Sequence, residues 1–404
     1  MTRVAITGLG IVSPAGLDAE STWQTLLQGT STAQRDEHLA GLPVDISCQV
    51  PDFDARHLIG ASAWRLDRFT AMGILAAREA LADARLDPRT WEPLRVGVVI
   101  GSGTASMERY AREFAKLADN RPLDISPLAI PRSVPNMSAA EIGLDTGARG
   151  PNFTVSTACA SGATAIGTAR DLLRAGTCDI VLAGGAESVR HPIPAACFHR
   201  MGALSQRTED PARASRPFDS SRDGFVLSEG AAVLVLERSE HARARGVPPR
   251  AHLAGYAATC DAHHYAAPHP QGRGAAEALT AALADAALEP ADIGHINAHG
   301  TATRLNDLAE AHALNTVFAT PPPVTSVKGA LGHAIGAAGA IEAAVTVLTL
   351  QRGLIPPTAN HEDTALDIDL DVVAKAPRTT RTEAAVSTSY GFGGQNAALV
   401  FTSH

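Results

Sequence analysis

Cys159 stands in the run Thr154-Val-Ser-Thr-Ala-Cys-Ala-Ser-Gly162, where an apolar segment ends and a stretch of small residues begins. The upstream residues Phe153 to Val155 read as a buried strand. Gly162, Ala163, Ala165, Ile166, Ala169, Leu172 and Leu173 then recur at helical spacing until Gly176 stops the pattern. A cysteine at such a strand-to-helix turn is well placed to be a nucleophile. The unpaired N–H groups and macrodipole of a helix start favour negative charge, so its thiol pKa is expected to fall, and the same N–H groups can hold a developing oxyanion. Most free cysteines, however, are small buried hydrophobes. Cys159 therefore needs partners before chemistry can be assigned to it.

Three stretches of the second half offer them. Asn297-Ala-His299-Gly-Thr301-Ala-Thr303 places a histidine directly after a predicted strand, facing the open end of a sheet. Ser326-Val-Lys328-Gly-Ala-Leu-Gly-His333 places a lysine and a second histidine five residues apart, ahead of a Gly/Ala-rich helix predicted over Gly336 to Leu350. Ser389-Tyr-Gly-Phe392-Gly-Gly-Gln-Asn396 is a glycine turn able to bring a backbone N–H close to a ligand. Any one of the chain's 15 histidines is most often a surface or satisfied core residue. Two of them, each flanked by glycine at an element end, point to catalysis.

The elements that must position these residues come from a chain of 404 residues, 45% hydrophobic and 19% charged, long enough to exceed one ordinary domain. Aromatics make up only 4% while Gly and Ala abound, so helices and strands should pack closely through small side chains. Arg3 to Thr7 reads as a strand, Gly8 to Gly16 as a glycine-rich turn and Ala19 to Gln28 as a helix. The Gly8-x-Gly10 pair is not a dinucleotide fingerprint, because Ser13 occupies the third glycine position and no acidic residue ends a following strand at the right distance. A helix over Phe69 to Ala84 and a strand over Arg95 to Ile100 follow, then a polar, Pro-rich excursion from Asn120 to Pro135. Strands over Asp179 to Ala183, ending at Gly184-Gly185, and over Ala231 to Leu236 close the first half. Arg250-Ala-His-Leu-Ala-Gly-Tyr256 repeats the pattern of Arg3 to Leu9, and strands are predicted again at His295 to Ala298, Ala384 to Ser387 and Ala397 to Thr402. The reading is a duplicated α/β unit, with an N-terminal half 1–249 and a C-terminal half 250–404, whose two sheets enclose helices in alternating layers.

A net charge of −8 speaks against nucleic-acid binding and against attraction to anionic membranes. Five cysteines without CxxC spacing fit neither a disulfide framework nor a zinc site, so a reducing cytoplasm and no metal are expected. The N-terminus runs straight into a strand without a signal peptide, and no apolar run approaches a membrane span.

With these motifs in order along essentially the whole chain, together with Arg216-Pro-Phe-Asp219 and Arg222-Asp-Gly-Phe225, the sequence resembles the β-ketoacyl-acyl-carrier-protein synthases of the thiolase superfamily. It is most similar to the elongating type, synthase II, which carries Cys-His-His. The resemblance implies a thiolase fold, two duplicated halves in a five-layered α-β-α-β-α sandwich. It also implies a dimer, either homodimeric or paired with a chain-length-factor-like homologue, and acyl carrier protein as partner. The implied reaction is a decarboxylative Claisen condensation of an acyl thioester on Cys159 with a malonyl thioester. It uses no cofactor beyond the phosphopantetheine of the carrier. On this reading the N–H groups of Cys159 and Phe392 form the oxyanion hole, and His299 and His333 donate Nε2–H to the malonyl carbonyl. Lys328, paired with Glu342, sets the histidine geometry. Thr301 and Thr303 hydrogen-bond the pantetheine arm, Phe392 gates the acyl pocket, and Phe198, Phe225 and Thr104 lie along it.

Thr104 replaces a larger apolar residue usual in synthase II, which implies a longer or more polar pocket. Where fatty-acid enzymes carry a basic docking cluster, this chain has Ala61, Trp64 and Arg65, then Leu123 and Asp124, leaving Arg65, Arg68, Arg200 and Arg207 as basic candidates. Arg304-Leu-Asn-Asp307 replaces a Pro-containing run and is more similar to type II polyketide ketosynthases. Two other classes remain weaker. A silent chain-length-factor-like partner need not keep Cys159, His299, Lys328 and His333, and a non-decarboxylating thiolase needs a second, acid/base cysteine that is absent after Cys260.

Overall fold

The computed structural model describes residues 3–403; residues 1, 2 and 404, at the outer ends of the two expected halves, lie outside it. Ten strands carry the architecture: β1 (Val4–Val12), β2 (Val96–Gly101), β3 (Asn152–Val155), β4 (Ile180–Ser188), β5 (Leu227–Arg238), β6 (Ala251–Cys260), β7 (Ile296–Asn297), β8 (Val324–Thr325), β9 (Ala384–Gly391) and β10 (Gln395–Thr402). Their order is β8-β7-β9-β10-β6-β1-β5-β4-β2-β3. Read outward from the centre, β1-β5-β4-β2-β3 and β6-β10-β9-β7-β8 have the same topology. In each half the last strand runs antiparallel between the first and fourth, and the remaining pairs are parallel. The halves join edge to edge through β1 and β6, where Ala5 pairs with His252 and Ile6 with Ala251.

Six helices matter for the site: α1 (Ala19–Gln28), α2 (Arg68–Asp83), α3 (Ser161–Arg174), α4 (Arg273–Ala286), α5 (Arg304–Val317) and α6 (Ala338–Arg352). Helix α2 covers the outer face of the first half, and α4 and α5 cover that of the second. Helices α3 and α6 lie between the two sheets, which gives the five layers the sequence implied. The central position explains composition: every residue of α6 from Ala338 to Leu350 is buried, so apolar residues occupy all its faces and Glu342 is its one charged residue in that stretch. The two central helices touch backbone to backbone. A Cβ on Gly162 would lie 2.7 Å from the Ala340 nitrogen, and one on Gly339 would lie 3.0 Å from the Ala163 nitrogen.

Several boundaries differ from the sequence reading for one reason. Gly8 and Gly10 sit within β1 rather than in a turn, because the backbone of α2 presses on the strand: Cβ atoms there would lie 2.2 Å from the Ala80 carbonyl oxygen and 2.1 Å from that of Ala76. Likewise β4 continues through Gly184-Gly185 to Ser188. Strand β3 is a half-exposed edge strand, not a buried one. The excursion between Asn120 and Pro135 is a pair of short helical turns, and its neighbourhood exposes Phe114, Leu123 and Ile130. Among the described residues no helix is long and apolar enough to cross a membrane.

Candidate active site

Both central helices begin the same way. Strand β3 leads through the turn Ala158–Ala160 into α3, and the turn Ile335–Ala337 leads into α6. Ala158 (φ 49°) and Ile335 (φ 44°) are both held in the left-handed region, where a side chain is strained. By this correspondence Cys159 is the counterpart of Gly336. The strained elbow aims the Cys159 side chain at the open end of the strands. From the other side, the turn after β9 closes against it, since a Cβ on Gly391 would lie 2.6 Å from the Thr157 carbonyl oxygen and 3.0 Å from the Cys159 nitrogen. The Phe392 N–H consequently points at the Cys159 sulfur.

The expected fall in the thiol pKa is not found. Burial pushes Cys159 up to about 12, with Lys328 pulling in the other direction and the Glu187 carboxylate adding to the rise. The cysteine precedes the first residue of α3 by two positions and is 7% exposed, so desolvation of a thiolate outweighs the helix end.

His299 follows β7 by two residues and is 2% exposed. Its backbone is clamped by a residue the sequence reading missed. The His299 N–H donates to Glu310 Oε1 at 2.8 Å and the Gly300 N–H to Glu310 Oε2 at 2.7 Å, while the Thr388 hydroxyl donates to Glu310 Oε1 at 2.9 Å. Asp307, one turn earlier on α5, accepts from the Phe218 and Ala302 N–H groups. Arg216 pairs with Asp219 at 2.9 Å, and the Arg222 guanidinium lies 3.7 Å from Asp307 and donates to the Arg304 carbonyl, so Arg222 braces the segment that follows His299. The i, i+3 spacing of Asp307 and Glu310 on a helix just after the histidine motif was the available signal.

Lys328 acts on His299 rather than on the nearer-in-sequence His333. Its Nζ donates to the His299 carbonyl at 2.6 Å, lies 3.3 Å from His299 Nδ1 and pairs with Glu342, as expected. An ammonium has only donors, so Nδ1 must accept and the ring proton resides on Nε2. His333 is held through its backbone, donating to Val226 O and accepting from the Ser228 N–H. Its Nδ1 is buried without a partner. A buried ring N–H without an acceptor is the costlier state, which places this proton on Nε2 as well. Burial, reinforced by Lys328, holds both imidazoles well below the usual histidine range and hence neutral at pH 7. The Cys159, His299 and His333 donor atoms lie within 4.8 Å of one another. Such a Cys-His-His set also has the donors a zinc-type ion takes, but with Lys328 on Nδ1, His299 presents a donor rather than a ligand lone pair. Beside the Lys328–Glu342 pair, Asn297 Oδ1, Glu342 Oε2 and Ser387 Oγ are buried without hydrogen-bond partners.

A cavity of about 700 Å³ opens onto these groups and is lined by Cys159, His299, His333, Phe198, Phe225, Phe392, Thr301 and Thr303. Phe198 stacks edge-on against Phe225 at 5.4 Å and faces Phe392 at 6.1 Å, while Phe225 meets His333 at 5.1 Å. Thr104 is not in this cavity. Its hydroxyl donates to the buried Glu187 at 2.9 Å, which also accepts from the Gly103 and Thr104 N–H groups. Of the basic candidates, Arg65 is bound bidentately by Glu141, and Arg68 by Glu229 and the Val50 carbonyl, so neither is free for a partner. Arg207 donates to the Ser221 carbonyl and lies 3.9 Å from Asp223, whereas Arg200 and Trp64 are exposed.

A duplicated five-layer fold with a Cys-His-His cluster at the open end of its strands defines a thiolase-type condensing enzyme. Residues 1–242 match the family described as β-ketoacyl synthase, N-terminal domain, and residues 250–362 its C-terminal domain; the chain is a member of the β-ketoacyl synthase family. It is 39% identical over 406 residues to 3-oxoacyl-[acyl-carrier-protein] synthase 2 of Vibrio harveyi, covering 99% of this chain and 98% of that protein. Among solved structures it superposes on the ishigamide ketosynthase/chain length factor with a TM-score of 0.94 at 34% identity, covering 100% of this chain and 99% of that one. A type II polyketide synthase acyl-carrier protein in complex with its ketosynthase, bound to the hexaketide, matches with a TM-score of 0.90 at 30% identity, covering 99% of both chains.

Proposed function

We propose that this chain condenses an acyl thioester with malonyl-acyl carrier protein to give 3-oxoacyl-acyl carrier protein, carbon dioxide and free carrier. The reading rests on one observation above all: Cys159, His299 and His333 converge within 4.8 Å at the end of one cavity, with Lys328 Nζ on His299 Nδ1 so that Nε2 faces the substrate as a donor. In the first half-reaction the Cys159 sulfur attacks the acyl carbonyl, the pantetheine thiolate leaves, and it takes the proton that Cys159 gives up. The N–H groups of Cys159 and Phe392 hold the tetrahedral oxyanion.

In the second half-reaction the malonyl carboxylate departs as carbon dioxide, and its bonding pair becomes an enolate whose oxygen accepts from His299 and His333. The carbanion attacks the acyl-enzyme carbon; the carbon–carbon bond forms, the carbon–sulfur bond breaks, and the Cys159 thiolate that leaves takes one proton from solvent water to restore the thiol. Neutral donors suit this step, because they stabilise enolate charge without protonating the carbon that must attack. No resident metal or redox cofactor is required, since both substrates arrive on the carrier's phosphopantetheine. Thr301 and Thr303, on one wall of the cavity, are the groups we assign to that arm.

We place the enzyme in the cytoplasm, divided at 249/250, and as a dimer of identical chains or with a chain-length-factor-like homologue. The edge strand β3 and the exposed Phe114, Leu123 (98% exposed) and Ile130 support such an interface. Pathway assignment, fatty-acid or type II polyketide, follows from which carrier and acyl chain are turned over. Mass spectrometry of purified enzyme with acyl- and malonyl-carrier protein tests the proposal. The expected products are an acyl adduct on Cys159 and 3-oxoacyl-carrier protein, and absence of both with every carrier offered would refute it.

A further inference from the structure

Among the described residues, the cavity that ends at Cys159 has one lysine or arginine on its wall, Arg304. It is the first residue of α5, directly after the cap Thr303, whose hydroxyl accepts from the Asn306 N–H, and it lies beside Thr301, Thr303, Leu305 and Asn306 at the exposed rim. Its backbone is anchored, because the Arg304 carbonyl accepts from Arg222 at 3.4 Å. Its guanidinium makes no hydrogen bond or ion pair among the described residues. Three nearby arginines are committed elsewhere, Arg222 to the Asp219 carbonyl and Asp307, Arg216 to Asp219, and Arg207 to the Ser221 carbonyl, while the exposed Arg200 does not line the cavity. Nor is a lining carboxylate waiting for it. Asp223 accepts from the Ser205 hydroxyl at 2.7 Å and the Gln206 N–H at 3.1 Å; Asp261 accepts from Asn396 and from the His269 N–H, both at 2.8 Å.

We infer that Arg304 binds the phosphodiester that joins the pantetheine arm to the carrier protein. The inference rests on the proposed condensing activity and goes on to name the residue that recognises the anionic end of its substrate. A pantetheine thioester placed with its carbonyl at Cys159 and its amides along Thr301 and Thr303 has its phosphate toward the rim, where Arg304 stands at the positive end of a 14-residue helix. A guanidinium matches phosphate with paired donors, and a helix start adds favourable potential there. The run Arg304-Leu-Asn-Asp307 thereby acquires a role: a proline in its place has no cation to offer.

The test compares two small substrates that differ by one phosphate, acyl-pantetheine and acyl-4′-phosphopantetheine, as acyl donors to Cys159, alongside the acyl-carrier protein. In wild type the phosphorylated donor is preferred. In Arg304→Ala the ratio of kcat/KM between the phosphorylated and unphosphorylated donors is expected to fall roughly tenfold, the usual scale for losing one charge-assisted hydrogen-bonding group, and Arg304→Lys should recover part of it. Arg304 is exposed, so folding is expected to survive, and circular dichroism checks that it does. An unchanged ratio overturns the inference. So does a loss seen only with carrier protein, which would place Arg304 against the carrier's own acidic surface. The proposed function fails separately, if wild type forms neither acyl-enzyme nor 3-oxoacyl product with any donor.

Discussion

Replacing Lys328 by methionine removes one ammonium from three contacts at once: the Glu342 carboxylate, the His299 carbonyl and His299 Nδ1. Two separable losses follow. Glu342 is 1% exposed, and breaking a buried ion pair from one side costs about 3–5 kcal/mol, so the denaturation midpoint should fall sharply. The Glu342 carboxyl, already pushed up to about 7 by burial, then holds its proton more tightly still. The second loss is chemical. Without the ammonium, nothing obliges Nδ1 to accept, the ring proton can move there, and Nε2 ceases to donate to the enolate. Loss of one such donor lowers rate about 10²–10³-fold. The double variant Lys328→Met/Glu342→Gln separates the two effects, because it removes the unpaired carboxylate but leaves His299 unpinned. Denaturant unfolding and carbon dioxide release from malonyl-carrier protein are measured side by side, with acyl-enzyme formation as control. The single variant should be unstable, still acylate Cys159, and decarboxylate slowly; the double variant should regain stability and remain slow. If decarboxylation returned together with stability, Lys328 would be only half of a structural ion pair, and the tautomer argument would be wrong.

Cys159→Ala should abolish the acyl adduct seen by mass spectrometry while keeping the fold, since one small residue replaces another; Cys159→Gln should retain malonyl decarboxylation, because an uncharged amide resembles the acylated thiol. His299→Ala and His333→Ala should accumulate acyl-enzyme in single-turnover experiments and stall before condensation by about 10²–10³-fold; a variant that failed at acylation but decarboxylated normally would mark its histidine as the base for Cys159. Burial raises Glu310 from its ordinary value to about 7, so between pH 4.5 and 7 the folded state binds its proton when the unfolded state does not. Its contribution to stability is therefore largest below pH 4.5 and is lost as pH rises through about 7. The difference in unfolding free energy between wild type and Glu310→Gln should shrink across that window, whereas a pH-independent difference would mean that Glu310 does not titrate there. Phe392→Ala keeps the backbone N–H but removes the ring facing Phe198 at 6.1 Å, so acylation should persist with weaker discrimination among acyl chain lengths, read from competing acyl donors.

How far local sequence carries depends on what each residue's role draws upon. Cys159, His299, Lys328, His333 and the Gly391 to Gly394 turn were legible because each sits where one element ends and another begins, and those boundaries are written in glycine, small-residue and apolar spacing. The duplication was legible for the same reason, since both halves use the same periodicity to build the same order of strands. The Lys328–Glu342 pair was legible because only one acid lies on the apolar helix that follows the lysine.

What the tertiary structure alone decided depends on neighbours distant in the chain. The Cys159 thiol is raised rather than lowered because residues of the second half, the Gly391 turn among them, close against it, and a helix start weighs less than the loss of water. Gly8 and Gly10 are strand rather than turn because α2 lies directly upon them. Thr104, Arg65 and Arg68 were candidates by position, yet Glu187, Glu141 and Glu229 claim them internally. Lys328 serves His299, 29 residues before it, and not His333 five residues after, because β7 brings the His299 carbonyl and ring nitrogen onto its amino group. Residue type and spacing picked out Cys159, His299 and His333, which the fold brings within 4.8 Å of one another. Burial and cross-half hydrogen bonds, which no local pattern encodes, determined their protonation and which of them remain free to meet a substrate.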